Sequence, residues 1–181
     1  MHATLTTERL ILRPLALEDA ARIQEIFPHW EVTQYLADVI PWPYPEDGAA
    51  AFVNFMLPKL EQSERFCWAI TLKGVLIGVI ELNPGGEHHR GFWLGVDYQR
   101  KGYMTEASEA VNAFAFEELG MAELRLINAV PNRGSSRIKA NSGAKLIGVN
   151  TDHGYIGGQF ESEEWILTRE DWLARRSQSA G

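Results

Sequence analysis

The run Gln99-Arg100-Lys101-Gly102-Tyr103-Met104-Thr105-Glu106-Ala107 sets two cations and a glycine between a β-like segment, Phe92-Trp93-Leu94-Gly95-Val96, and a helix-like one. A strand, a short turn and a helix start in that order can hold an anion. The first N–H groups of a helix have no partner within it and point out of its end. They also carry the positive end of the helix dipole, so a phosphate fits there. Gly102 removes the Cβ that would keep a ligand off the backbone. The chain is therefore expected to bind a phosphorylated ligand.

The elements that must position this turn follow from periodicity. Leu10 and Leu12 alternate with polar and exposed-type residues over 8–13, a strand ended by Pro14. Residues 18–27 and 46–62 have apolar positions spaced by three and four, as helices do, and Pro58 should kink or shorten the second. Residues 66–72 and 75–83 read as a hairpin around Lys73-Gly74, followed by a strand over 90–96. The clearest helix runs over 103–119, with Gly120 as its C-cap. Then come a strand at 124–130, a helix at 135–142, strands at 146–150 and 160–168, and a helical turn at 170–176. Three strands precede the central helix without crossover helices, so the class is α+β with a mixed, mostly antiparallel sheet rather than a doubly wound one. Residues 1–176 are expected to form one domain and 177–181 a frayed tail.

Composition narrows the function. The 181-residue chain is 45% hydrophobic and 23% charged, a globular balance. Its net charge of −7 argues against an extended nucleic-acid surface, which needs a basic face. No apolar run approaches the ~20 residues of a membrane span, and the start Met1-His2-Ala3-Thr4 lacks a signal-peptide pattern, so a cytoplasmic location is expected. Cys67, the single cysteine, lies in an apolar strand and reads as a small buried hydrophobe. No metal-ligand spacing is present, so no metal is expected. The chain lacks GxxxxGK[ST], GxGxxG and GxSxG, which sets aside P-loop NTPases, Rossmann enzymes and serine hydrolases of the elbow type.

The run 99–104 resembles the Q/R-x-x-G-x-G/A signature of the GNAT superfamily of acyl-CoA N-acetyltransferases, with Met104 in place of the last small residue. Thr7-Glu8-Arg9-Leu10-Ile11-Leu12-Arg13-Pro14, Asn132-Arg133-Gly134-Ser135-Ser136-Arg137 and Leu167-Thr168-Arg169-Glu170-Asp171-Trp172 resemble, in order, segments of its branch of Rim-type ribosomal-protein N-terminal alanine acetyltransferases. The resemblance implies a GNAT-like sheet of about seven strands with about four helices, splayed near the fourth strand. It implies acetyl-CoA as co-substrate, with the pyrophosphate on Gln99, Arg100, Lys101, Gly102, Tyr103, Met104 and Thr105. The pantetheine arm would run beside Leu94, Gly95 and Val96, with Asn132, Ser135 and Asn141 as further contacts. Asn132 would also suit a helix N-cap.

The implied reaction is direct attack of a primary amine on the thioester in a ternary complex. It needs a base for the amine and an acid for the leaving thiolate. The tyrosine that many members use as acid is replaced here by Lys139, and the Rim-type branch points instead to Ser135. Glu81, within the apolar run 75–82, is the candidate base; alternation puts it on one face with Ile77 and Val79, where burial would raise its pKa. His88 and His89 are rivals that cannot face the same way on a strand. Trp30, Tyr35, Trp42 and Tyr44 border the expected acceptor cleft. A protein or peptide N-terminus is the favoured acceptor. A small amine (polyamine, amino acid or aminoglycoside) and a non-catalytic CoA sensor are the alternatives. A homodimer is the default assembly by symmetry alone.

Overall fold

The computed structural model describes residues 3–179. The period-two runs become two antiparallel sheets. The first joins β1 (Leu5–Thr6), β2 (Leu10–Pro14), β3 (Phe66–Leu72), β4 (Val75–Leu82) and β5 (Arg90–Leu94) in chain order. The second joins β6 (Glu123–Ala129), β7 (Lys145–Asn150) and β8 (Ser162–Thr168) in the order β6-β8-β7. The class is α+β, as expected, with an added two-residue edge strand, β1.

Helices cover both faces of the first sheet. On one side α1 (Asp19–Ile26) and α3 (Gly48–Glu61) pack on β3 and β4, burying Ile23, Val53 and Met56 with Cys67, Ala69 and Val79. A single turn, α2 (Trp30–Thr33), links them. On the other side α4 (Tyr103–Ala113) lies on β2, β4 and β5, burying Met104, Ala107 and Val111 with Leu12, Trp68 and Ile80. The second sheet carries α5 (Arg133–Asn141) and α6 (Arg169–Ser179), with Trp172 of α6 buried against Phe116. Full burial of side chains of this size contributes on the order of 2–3 kcal/mol each. No helix among the described residues is long and apolar enough to cross a membrane.

Three local features depart from periodicity. The helix expected over 103–119 changes at Phe114 into a π-helical turn, with the Leu119 N–H bonded to the Phe114 carbonyl, before Gly120 ends it at φ +66°. A bulge opposite Ile70 and Thr71 breaks the alternation of β4. Ile77 therefore joins the α4-side cluster while Val79 joins the α1–α3 side. Finally, α6 continues through Ser179, so residues 177–179 are helical rather than frayed; the rest of the expected tail lies outside the described residues.

Candidate active site

The turn before α4 has the backbone of an anion cradle. Arg100 and Gly102 adopt left-handed φ values of +60° and +80°, the latter at the N-cap of α4. The first N–H of this region to find a backbone acceptor is that of Glu106, which donates to the Gly102 carbonyl. From Arg100 through Thr105 no backbone carbonyl among the described residues accepts the N–H groups. The Gln99 side chain donates to the Leu94 carbonyl at 3.1 Å, tying the turn to the end of β5. Arg9 braces it from the bend before β2: Nη1 donates to the Lys101 carbonyl at 3.0 Å and Nε to Glu106 Oε2 at 2.7 Å, with the guanidinium over the Tyr103 ring. Glu106 is thereby paired where its charge would oppose an anion. Burial, the largest single influence, raises its pKa, but the hydrogen bonds from Thr7 and Arg9 and the charge of Arg9 together outweigh it and hold the carboxyl below the usual range. Met104 points into the core and is 6% exposed, so its bulk does not crowd the turn.

Beside this turn the two sheets separate. The His89 N–H donates to the Arg125 carbonyl, and the Arg125 N–H donates to His89 Nδ1, each at 2.8 Å. Beyond this junction β5 and β6 diverge around a cleft of about 430 Å³, walled by Arg90, Gly91 and Phe92 of β5 and by Ile127 and Asn128 of β6. The Gly95 N–H donates to the Ile77 carbonyl of β4. Strand alternation therefore turns the N–H groups of Leu94 and Phe92 toward the cleft edge. Two laced segments roof it, with the N–H groups of Ile156 and Gly157 bonded to the carbonyls of Leu36 and Gln34.

The start of α5 forms the inner wall. The Asn132 side chain caps the helix by accepting the Ser135 N–H at 3.2 Å, and both residues line the cleft. Glu163 of β8 fixes this end, accepting from Ser136 Oγ at 2.5 Å and from Asn128 Nδ2 at 3.0 Å. Ser135 is buried, and its Oγ accepts from Lys139 Nζ at 2.6 Å. Lys139 is 2% exposed; burial and then Arg90 push its pKa well below the lysine value, against the pull of Glu163. Arg90 is itself buried, with its pKa brought down to about 10 by burial.

The other sequence candidates separate. Glu81 shares a face with Val79 but not with Ile77, because of the bulge in β4. It lies one strand behind the cleft, with Oε1 against Gly91 and Oε2 3.9 Å from Arg65. Burial raises its pKa, and Arg65 only partly offsets that. His88 lines the cleft with its ring 5.0 Å from His153, whereas His89 is occupied at the sheet junction. Tyr35 lines the cleft, while Trp30 and Trp42 pair on the surface at 5.9 Å. Tyr44 packs on Phe27 and over Gly48 in the second core, and burial pushes its pKa up to about 12. Asn141 lies at the exposed end of α5, lining a separate cavity with Thr105, Arg175 and Arg176. Leu94 is buried and Val96 is 41% exposed. Sequence reading missed Arg90, Asn128 and His153, which come from separate strands and loops, and could not single out Glu163 from the neighbouring carboxylates Glu161 and Glu164. It also missed that His88, His153 and Glu164 each offer a ligand atom within 4.8 Å of the others.

Comparisons with known proteins agree with this geometry. The description "Acetyltransferase (GNAT) domain" matches residues 9–145. The chain is 27% identical over 176 residues to the uncharacterized N-acetyltransferase YnaD of Bacillus subtilis (strain 168), covering 95% of this chain and 99% of YnaD. Its fold is similar to Mycobacterium smegmatis RimJ in complex with CoA-disulfide (TM-score 0.85, 16% identity, 99% and 98% of the two chains). It is similar also to RimL, a ribosomal L7/L12 alpha-N-protein acetyltransferase in complex with coenzyme A (TM-score 0.80, 15% identity, 92% and 98%). The chain therefore belongs to the GNAT family of acetyltransferases, with Rim-type proteins among its structural neighbours.

Proposed function

We propose that the protein is an acetyl-CoA-dependent N-acetyltransferase that acts on the amine of a protein or peptide N-terminus by direct attack in a ternary complex. The observation that carries this reading is that one strand, β5, walls the cleft at Arg90 to Phe92 and leads at its other end, through the Gln99–Leu94 hydrogen bond, into the unpartnered N–H groups of 100–105. A diphosphate fits the first, and a narrow amide-bearing arm fits the second as an extra strand. Arg100 and Lys101 add charge from exposed positions, worth roughly 0.3–1 kcal/mol each. Leu94, Gly95 and Val96 flank the arm, and the Leu94 N–H is turned to polarise the thioester carbonyl. Asn132 contacts the arm from α5, and Asn141, beside Thr105, borders the nucleotide end.

Bound acetyl-CoA supplies the activated acyl group. Ser135 Oγ–H, the hydroxyl at the cleft wall, protonates the departing sulfur. Glu81 takes the amine proton through water across Gly91, where the missing Cβ leaves its carboxylate against β5. Tyr35 meets the acceptor in the cleft, and the Trp30–Trp42 pair extends that surface outward, with Tyr44 supporting it from beneath. RimL, a protein α-amine acetyltransferase by name, supports a polypeptide acceptor.

The test is calorimetry with acetyl-CoA, followed by thiol release with a panel of peptides, polyamines, amino acids and aminoglycosides. Micromolar binding and release with peptides bearing a free N-terminus are expected. Absence of acetyl-CoA binding would sink the reading. Release only with small amines would replace the acceptor, and binding without release by any amine would favour a sensor.

A further inference from the structure

Ser135 and Lys139 stand one turn apart on the inner face of α5, and their polar ends meet at 2.6 Å. The lysine occupies a costly place. Burying an ammonium without a close carboxylate costs several kcal/mol, and a leucine or methionine would fill a core-facing helix position without that cost. The charged groups around it do not compensate. Arg90 of β5 repels it, and Glu163 of β8 attracts it only at long range while bonded to Ser136, Asn128 and Trp165. Glu109 of α4 acts on Arg90 instead. Lys139 forms no ion pair among the described residues.

The surroundings share this excess of positive charge. Lys139 Nζ lies 5.8 Å from the centre of the Phe92 ring, and the Arg90 guanidinium lies 5.8 Å from the same ring. Nη1 of Arg90 donates to Asn112, but its buried Nε and Nη2 have no acceptor. Two buried cations thus share one aromatic ring of the cleft wall; Arg90 and Ser135 line that wall, and Lys139 lies behind Ser135. Such a site stabilises an anion that forms transiently at the wall.

We propose that Lys139 is a positioning residue for thiol formation, holding Ser135 Oγ as an acceptor and restoring to it the proton that Ser135 gives to the sulfur of CoA. The inference rests on the reading that CoA places its sulfur in this cleft. In the step, the acceptor nitrogen bonds to the acyl carbon and the C–S bond breaks with its electron pair left on sulfur. Ser135 Oγ–H passes its proton to that sulfur. Lys139, as the ammonium, passes one proton to Oγ and becomes an amine. The proton that Glu81 takes from the attacking amine is afterwards released to solvent, and Lys139 regains one proton from solvent, so the cycle closes without another reactant. Burial, and then Arg90, lower the pKa of the ammonium, which makes it a readier proton donor to Ser135 Oγ than an ordinary lysine.

The test titrates the thiol of CoA bound to the protein, read by ultraviolet thiolate absorbance, with calorimetry of CoA binding alongside. On the wild type the bound thiol should ionise at least about tenfold more readily than that of free CoA, as beside a cation. In Lys139→Met it should return to the free value while CoA affinity changes less than about threefold. A bound thiol that titrates like free CoA in the wild type overturns the proposal without any variant, so misfolding of Lys139→Met cannot protect it. An unchanged titration in a folded Lys139→Met overturns it too. If calorimetry detects no CoA binding to the wild type, the acetyl-CoA reading falls and this inference falls with it; binding with an ordinary thiol removes this inference alone.

Discussion

The two ends of the cleft are built in opposite ways. At the α4 end the polar groups of the candidate site are main-chain N–H groups from one short run, held by two left-handed residues and braced by Arg9. At the α5 end they are side chains from β5, β6, α5 and β8, held by one another through Glu163, Asn128, Ser135 and Lys139. The first end buries no charge, whereas the second buries two cations, Arg90 and Lys139, and one carboxylate, Glu163. Binding a constant part of a ligand can be left to backbone geometry, which tolerates side-chain change. Chemistry needs particular atoms in a dry place, and its residues are fixed one by one.

That contrast can be broken in graded steps. The largest effect belongs to Ser135→Ala, which should lower turnover about 10²-fold or more while acetyl-CoA affinity stays within about threefold. Equal turnover, measured by thiol release, would remove Ser135 as the acid. Next is a stability effect. Lys139→Met should stabilise the fold by about 1–3 kcal/mol at pH below the lowered Lys139 value, because it removes a buried, poorly compensated charge. Its sign varies with pH. The folded pKa of Lys139 is below the 10.5 of an ordinary lysine, so the unfolded chain binds more protons between the two values and wild-type stability rises with pH there. The advantage of the variant is thus complete below the lowered value and shrinks as pH climbs toward 10.5. Denaturant melts across pH that show a constant gap would contradict this.

At the other end, Gly102→Val should weaken acetyl-CoA binding about tenfold, through strain at φ +80° and a Cβ 3.3 Å from Arg9 Nη2. The companion Met104→Ala should leave affinity nearly unchanged, because Met104 faces the core. Calorimetry decides both, and a large loss for Met104→Ala would show that the turn depends on packing after all. The smallest effect is expected at the acceptor side. Tyr35→Ala should raise the acceptor KM about two- to fivefold with little change in kcat, since it touches only one lining ring of an open cleft. A fall in kcat alone would move Tyr35 into the chemistry.

The same contrast explains what the sequence made legible. The α4 turn is local, so Gly102, the strand before it and the helix after it could be read together, and Asn132 was legible as a cap for the same reason. The cleft wall is not local. Lys139 was visible only as an absent tyrosine, because nothing in SRIK tells that its amine folds back onto Ser135. Glu81 was given the wrong neighbour because one bulged residue in β4 reverses the alternation on which the reading relied. Tyr44 could not be separated from Tyr35 by composition. One packs under the proline loop and the other reaches the cleft, and only tertiary contacts distinguish them.

The pair of hydrogen bonds between His89 and Arg125 has a consequence for solubility. Strands that part leave unpaired edges, and an unpaired edge recruits other chains. Because β5 and β6 are fastened at one end, their bare edges face each other inside a narrow wedge instead of facing bulk solvent. Loosening the fastening, as in His89→Ala, should convert a guarded opening into a sticky one, with concentration-dependent self-association as its sign.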